Sequence, residues 1–144
     1  MSKFKLQMPN DKKQLTCDIW QLTLKKFRFR KFPIYQDALR FRTELKRLSI
    51  KQFPKKEQFI LTSQIWRALD SIILNIAEGS DRGTDKDFAH YLNFSHTSLN
   101  EVVACIDLAR LDGYITKEQH SDYLQKAELL ANQLTAFRKK LLES

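Results

Sequence analysis

Four stretches of this 144-residue chain repeat apolar residues at alternating steps of four and three, a spacing that packed helices satisfy and strands do not. In the first, Pro33 suits an opening helical position and Ile34, Ala38, Phe41, Leu45 and Leu48 form the stripe. It is predicted to end near Phe53-Pro54, because a residue before proline is pushed out of the α region. The second carries Leu61, Ile65, Ala68, Leu69, Ile72 and Ile76, and Gly79 is expected to close it in a left-handed conformation. In the third, Thr84 and Asp87 resemble a capping box ahead of Phe88, Leu92, Ser95, Leu99, Val102, Ile106 and Ala109, with Asp112-Gly113 as the stop. The fourth opens on a second capping box, Thr116 with Gln119, and continues through Tyr123, Ala127, Leu130, Leu134, Phe137 and Leu141. Arg138, Lys139 and Lys140 suit the negative end of that helix's dipole. Helices over about 34–51, 56–79, 85–111 and 117–142, joined by short connections, predict an all-α, antiparallel up-down-up-down four-helix bundle over 34–144. Three Gly and 3 Pro are too few for an architecture of many tight reversals.

Charge separates the bundle from what precedes it. Residues 1–33 hold nine Lys or Arg against Asp11 and Asp18, whereas the rest of the chain balances sixteen bases against fifteen acids. A polycationic N-terminal arm on a nearly neutral bundle points to a polyanionic partner, nucleic acid first. Lys26-Phe27-Arg28-Phe29-Arg30 alternates basic and apolar residues, which predicts an extended segment with two faces. Lys25, Lys26, Arg28, Arg30 and Lys31 are the candidate phosphate contacts, and Phe27 and Phe29 would stack on bases or dock on the bundle. Arg67 and Arg82 are weaker nucleic-acid candidates. Leu15 to Leu24 suits a short helix or a strand.

Helix two has more apolar surface than one core stripe uses. Trp66, Leu69 and Ile73 line a second face, and a helix apolar over most of its circumference must be covered on more than one side. A locally thick core would cover it; a subunit interface is the sharper expectation.

Patterns for catalysis or metal binding do not assemble. Bundle metal sites use paired Glu-x-x-His motifs; here Asp87-x-x-His90 occurs once, and His96 and His120 lack partners at helical spacing. The loop from Glu78 to Thr84 lacks the Gly-Lys-Ser/Thr ending of a phosphate-binding loop and reads as a helix connection. Cys105 has no basic or histidine neighbour at three or four residues to activate it, and Asn75 and Glu78 suit hydrogen bonds across helices. No apolar run approaches the ~18 residues of a membrane span. A cytoplasmic, non-enzymatic protein with reduced Cys17 and Cys105, no metal and no cofactor is expected.

Several fragments in order carry a more specific signal. They are Pro33-Ile34-Tyr35-Gln36-Asp37-Ala38, Phe53-Pro54-Lys55-Lys56-Glu57, Leu61-Thr62-Ser63-Gln64-Ile65 and Asn75-Ile76-Ala77-Glu78-Gly79-Ser80. Arg82-Gly83-Thr84-Asp85-Lys86-Asp87-Phe88, Ser98-Leu99-Asn100-Glu101 and Leu111-Asp112-Gly113-Tyr114-Ile115 complete the series. With this set the chain resembles the four-helix-bundle proteins encoded by intervening sequences in bacterial 23S ribosomal RNA genes. The resemblance implies a small cytosolic bundle, assembly into a homopentameric ring, no catalytic residues, and RNA as a reasonable partner. A related branch, the accessory proteins of diversity-generating retroelements, binds a reverse transcriptase and nucleic acid. The two functions to be weighed are therefore an oligomeric RNA- or DNA-binding accessory protein and a scaffold for a partner protein such as a reverse transcriptase or neighbouring-gene product. Three positions depart from the family pattern: Trp66 stands at a usually basic site, Asp70 at a small or apolar one, and Ile73 replaces a frequent proline.

Overall fold

The computed structural model describes residues 25–144, with side chains from Phe27 onward. Leu15 to Leu24 and the lysines at 3, 5, 12 and 13 lie outside the described residues. Four α-helices account for most of the rest: α1 (Pro33–Gln52), α2 (Leu61–Gly79), α3 (Asp85–Leu111) and α4 (Lys117–Glu143). Hydrogen bonds between them fix their directions. Asp37 accepts from Gln133, Glu44 from Lys126, and Gln52 reaches Gln119, so α1 rises as α4 descends. Tyr91 donates to Glu78, Ser95 to the Ile72 carbonyl, and Gln64 to Glu101, so α2 and α3 are also antiparallel. Ser144 with Asp85 and His120 with Asp107 do the same for α3 and α4. The up-down-up-down order follows.

The four stripes meet in one core. All the stripe residues of α2 and α3 are buried, Ile65, Ile76, Leu92 and Val102 at 0% exposure. Helix α4 contributes Ala127, Leu130 and Leu134, with Tyr123, Phe137 and Leu141 packed at its margin. Burying one Leu or Ile side chain stabilises by about 1.5–3 kcal/mol, so this shared interior, rather than helix propensity, sets the fold.

The caps explain where helices start and stop. Thr116 and Gln119 form the expected reciprocal box, at 3.1 and 2.9 Å. Thr84 accepts from the Asp87 backbone at 3.1 Å, but the Asp87 carboxylate turns to Arg82 instead of completing a box. Gly113 has φ 78 and lets the Tyr114 amide reach the Ala109 carbonyl at 2.9 Å, closing α3.

Helix α2 begins later than the expected position 56. Lys55–Glu57 forms a 3-10 turn, Ile60 leaves helical geometry at ψ −97, and Glu57 Oε1 accepts from the Leu61 amide at 3.3 Å, capping α2 from outside. Gly79 does not use a left-handed angle; the positive φ among the described glycines belongs to Gly113. A Cβ at 79 would lie 2.5 Å from Tyr91 Cβ and 2.9 Å from Phe88 Cδ1, so glycine is required here by the approach of α3.

Candidate nucleic-acid interface

The end of the bundle that gathers the start of α1, the end of α2, the start of α3 and the end of α4 is where the basic arm joins. Lys25–Lys31 is not extended: it forms 3-10 turns broken at Phe27 (φ −116, ψ 54). Three features hold it down. The Phe32 ring stacks 6.1 Å from Phe88 and meets Phe137 edge-on at 5.3 Å, with Phe88 and Phe137 themselves 5.2 Å apart. Phe29 packs edge-on against Tyr35 at 5.0 Å. Gln36 Nε2 donates to the Arg30 carbonyl at 2.7 Å, leaving the buried Gln36 Oε1 with no partner.

The candidate cations then separate by what each already does. Arg28 Nη2 donates to the Ser80 carbonyl at 2.7 Å, and its guanidinium lies 5.6 Å from the Phe32 ring centre and 5.8 Å from that of Phe88. It therefore satisfies an orphan carbonyl at the negative end of α2 and fastens the arm to the bundle. Lys31 is exposed, Arg30 is half-buried with its charge acting on the Tyr35 hydroxyl, and Lys25 and Lys26 have side chains outside the described part. Arg82 is exposed at the same end, but it pairs with Asp87 at 3.1 Å and lies 5.0 Å over the Tyr91 ring. Arg67 bonds Gln64 at 3.0 Å, and thirteen residues of α2 put it about 20 Å from Ser80. The structure thus does not bring Arg67 to the described root of the arm.

Sequence reasoning passed over two cations that the fold brings to the same end of the bundle as the arm's root. Lys86 and Arg138 line one shallow recess between the start of α3 and the end of α4, beside Thr84 and His90. Arg138 had been accounted for by its helix dipole, and only the closed bundle shows that the first turn of α3 faces the last turns of α4.

The expected subunit face on α2 is a correction. Leu69 is 1% and Ile73 8% exposed within the single chain, both in the main core. Trp66 packs against that core, its Nε1–H donating to Ser49 Oγ at 2.8 Å with the Lys46 ammonium 5.0 Å over its ring. Asp70 completes the same seam, accepting from Arg42 at 2.8 Å and Lys46 at 3.0 Å. Burial pushes the Asp70 carboxyl up, but the hydrogen bonds from Arg42 and Lys46 outweigh it and hold the group below its ordinary range. Helix α2 lies between α1 and α3, so an apolar arc wider than one stripe is filled by two neighbours inside one subunit.

Nucleophilic chemistry finds no activated group at Cys105. Burial, then the Glu101 charge, push its thiol up to about 11, away from the thiolate. Asn75 bonds the Ser71 carbonyl of its own helix, while Glu78 accepts from Tyr91 across the α2–α3 seam. Among the described residues, no three His, Cys, Asp or Glu side chains group as metal ligands, and no helix is long and apolar enough to cross a membrane.

A family model described as "23S rRNA-intervening sequence protein" matches residues 30–136. A solved structure described as a protein of unknown function from the S23 ribosomal protein family of Bacteroides thetaiotaomicron shares the fold. Its TM-score is 0.64 at 24% identity, over 74% of this chain and 98% of that one. No curated protein matches the sequence.

Proposed function

The chain belongs to the 23S rRNA-intervening sequence protein family, and on that footing we propose that it is a non-enzymatic, cytoplasmic, self-associating accessory protein that binds RNA through its basic arm. The observation that supports this most is the concentration of charge: nine bases against two acids in residues 1–33, at an arm whose root is fastened to Ser80, at the same end of the bundle as Lys86 and Arg138. Lys25, Lys26, Arg30 and Lys31 carry the phosphate contacts, with Lys86, Arg138 and, more weakly, Arg82 extending them onto the bundle. Arg28 acts as an anchor. A ring of five, as the resemblance implies, would present several arms to one strand and raise effective concentration without stronger individual contacts.

Binding of a fluorescent single-stranded RNA, titrated at several salt concentrations, tests this. Each phosphate contact on a single strand contributes a slope of roughly −0.7 in log affinity against log salt. Replacing Lys25, Lys26 and Lys31 by Gln should flatten the slope by about 2 and weaken binding at low salt. An unchanged slope and affinity would remove the arm from the interface. Arg67→Gln should change neither.

A further inference from the structure

The grooves between neighbouring helices differ in charge. The α2–α3 groove, of about 410 Å³ at the far end from the arm, is lined by Glu57, Glu101 and Asp112 and by no Lys or Arg. In the α1–α4 groove, of about 250 Å³, every charge is answered: Arg40 pairs with Asp37, and Lys126 with Glu44 at 2.8 Å. The α1–α2 seam engages its cations Arg42 and Lys46 on Asp70. A polyanion is repelled by the first of these and gains little from the other two.

The α3–α4 groove is built differently. It holds two recesses, of about 360 Å³ and 190 Å³, and Arg138 lines both. Lys86 and His90 face the first; Asn93, His96 and Thr135 face the second. Positions 86, 90, 93 and 96 follow steps of four and three along α3, as 135 and 138 do on α4, so each set shares one face of its helix. The ten residues from Lys86 to His96 cover about 15 Å of helix, which makes a track rather than a point. That track begins at the end of the bundle where the arm is rooted and runs towards the middle of both helices.

Its donors are uncommitted. Lys86 and Arg138 form no ion pair with another described residue, and the side chains of Asn93, His96 and Thr135 form no hydrogen bond with one. Asp87 also lines the first recess, but Arg82 holds its carboxylate at 3.1 Å. The charged groups around the two histidines are therefore Lys86 and Asp87 from α3 and Arg138 from α4, and no residue of α2 lines either recess. The His90 ring also meets Phe94 edge-on at 4.5 Å.

We propose that the α3–α4 groove is a track for the backbone of single-stranded RNA, with phosphates on Lys86 and Arg138 and then on Asn93, His96 and Thr135, and His90 between them. The track rests on RNA binding by the arm and gives the strand a direction, from the end where the arm is rooted down the seam between the two longest helices. Lys, Arg, Asn, His and Thr donors to phosphate and sugar position a strand without reading its bases, so the track is indifferent to sequence. Histidine is the side chain whose charge changes between about pH 5 and pH 8. Two of the chain's 3 histidines line the track, and in protonated form both add positive charge to it, so binding strengthens as pH falls.

A fluorescent oligouridylate of about 16 nucleotides, titrated against the full chain over a salt series, tests this. Moving from about pH 7.5 to about pH 5.5 should steepen the salt slope by roughly 0.7–1.4 and tighten binding at low salt. His90→Gln with His96→Gln should remove that gain. His120→Gln should keep it, because that ring faces Asp107 at the other end of the bundle. Thr135→Glu sets a fixed negative charge in the second recess and should weaken binding by roughly fivefold or more at low salt. Ser63→Glu, which adds the same charge at the exposed start of α2, should bind like the parent. Circular dichroism checks that each chain keeps its helix content.

A parent chain without the pH response overturns the track, as does a response that survives loss of both histidines. Thr135→Glu binding like the parent, or no more weakly than Ser63→Glu, overturns it too. Replacing Lys25, Lys26 and Lys31 by Gln separates two failures. If that change flattens the salt slope while the groove variants alter nothing, the strand stops at the arm and the track alone fails. If neither set of variants matters, RNA binding by the arm fails with it.

Discussion

The two ends of the α2–α3 pair are built in opposite ways. At the arm end a glycine lets the helices close until Gly79 meets Tyr91 and Phe88, and Phe32 and Arg28 seal the top. At the other end Ile60 and Leu108 face solvent, and a groove between the helices is lined by apolar side chains together with Glu57, Glu101 and Asp112. One helix pair is thus a sealed core at one end and an open groove at the other. The difference teaches that apolar content alone does not reveal an interface. Leu69 and Ile73 are as apolar as Ile60 and Leu108, and only the neighbours of each decide which are spent inside.

The contrast breaks most easily at the sealed end. Phe88→Ala empties the ring that Phe32, Phe137 and Arg28 all touch, and should cost about 3–5 kcal/mol in urea unfolding and free the arm's root to proteases. Gly79→Ala should cost about 1–3 kcal/mol, because its Cβ meets Tyr91 Cβ rather than a flexible tip. Gly83→Ala, with open space around it, is the control and should be near neutral.

Smaller effects sharpen the comparison. Asp70→Asn should cost less than about 1 kcal/mol, since its ion pairs are partly exposed. Its carboxyl is held below the usual range, so the wild-type advantage should be complete above the unfolded value near 3.9 and vanish as pH falls through the lower folded value. Thermal melts of both chains between about pH 2 and pH 7 check that sign. Phe59→Ser, at the open end, should change the stability of the dilute protein by no more than about 0.5 kcal/mol.

Much of the fold was legible in the sequence. The four-three stripes, Pro33 at the start of α1 and the Thr116–Gln119 box all lie where the pattern puts them. These signals are local, and local spacing is enough to read them. What was not legible depends on partners distant in sequence. A helical wheel of α2 shows an apolar arc but not that α1 and α3 both fill it. Gly79 carries the composition signal of a left-handed stop, yet its reason is nine and twelve residues away, at Phe88 and Tyr91 on α3. The site followed the same division. The density of positive charge in the arm is plain in the sequence, but Arg28 as an anchor and Lys86 beside Arg138 required the closed bundle.

Phe32 sits between the first turn of α3 and the last turns of α4, and that placement makes the arm a handle on the bundle. A pull at the arm cannot stop at its root; it is borne by the contact between the two longest helices. Occupancy of the arm by a ligand is therefore to be sought in slowed amide exchange along Asp85–Tyr91 and Leu134–Leu141, at the core-facing Phe88 and Phe137 as well as at the exposed Lys86 and Arg138.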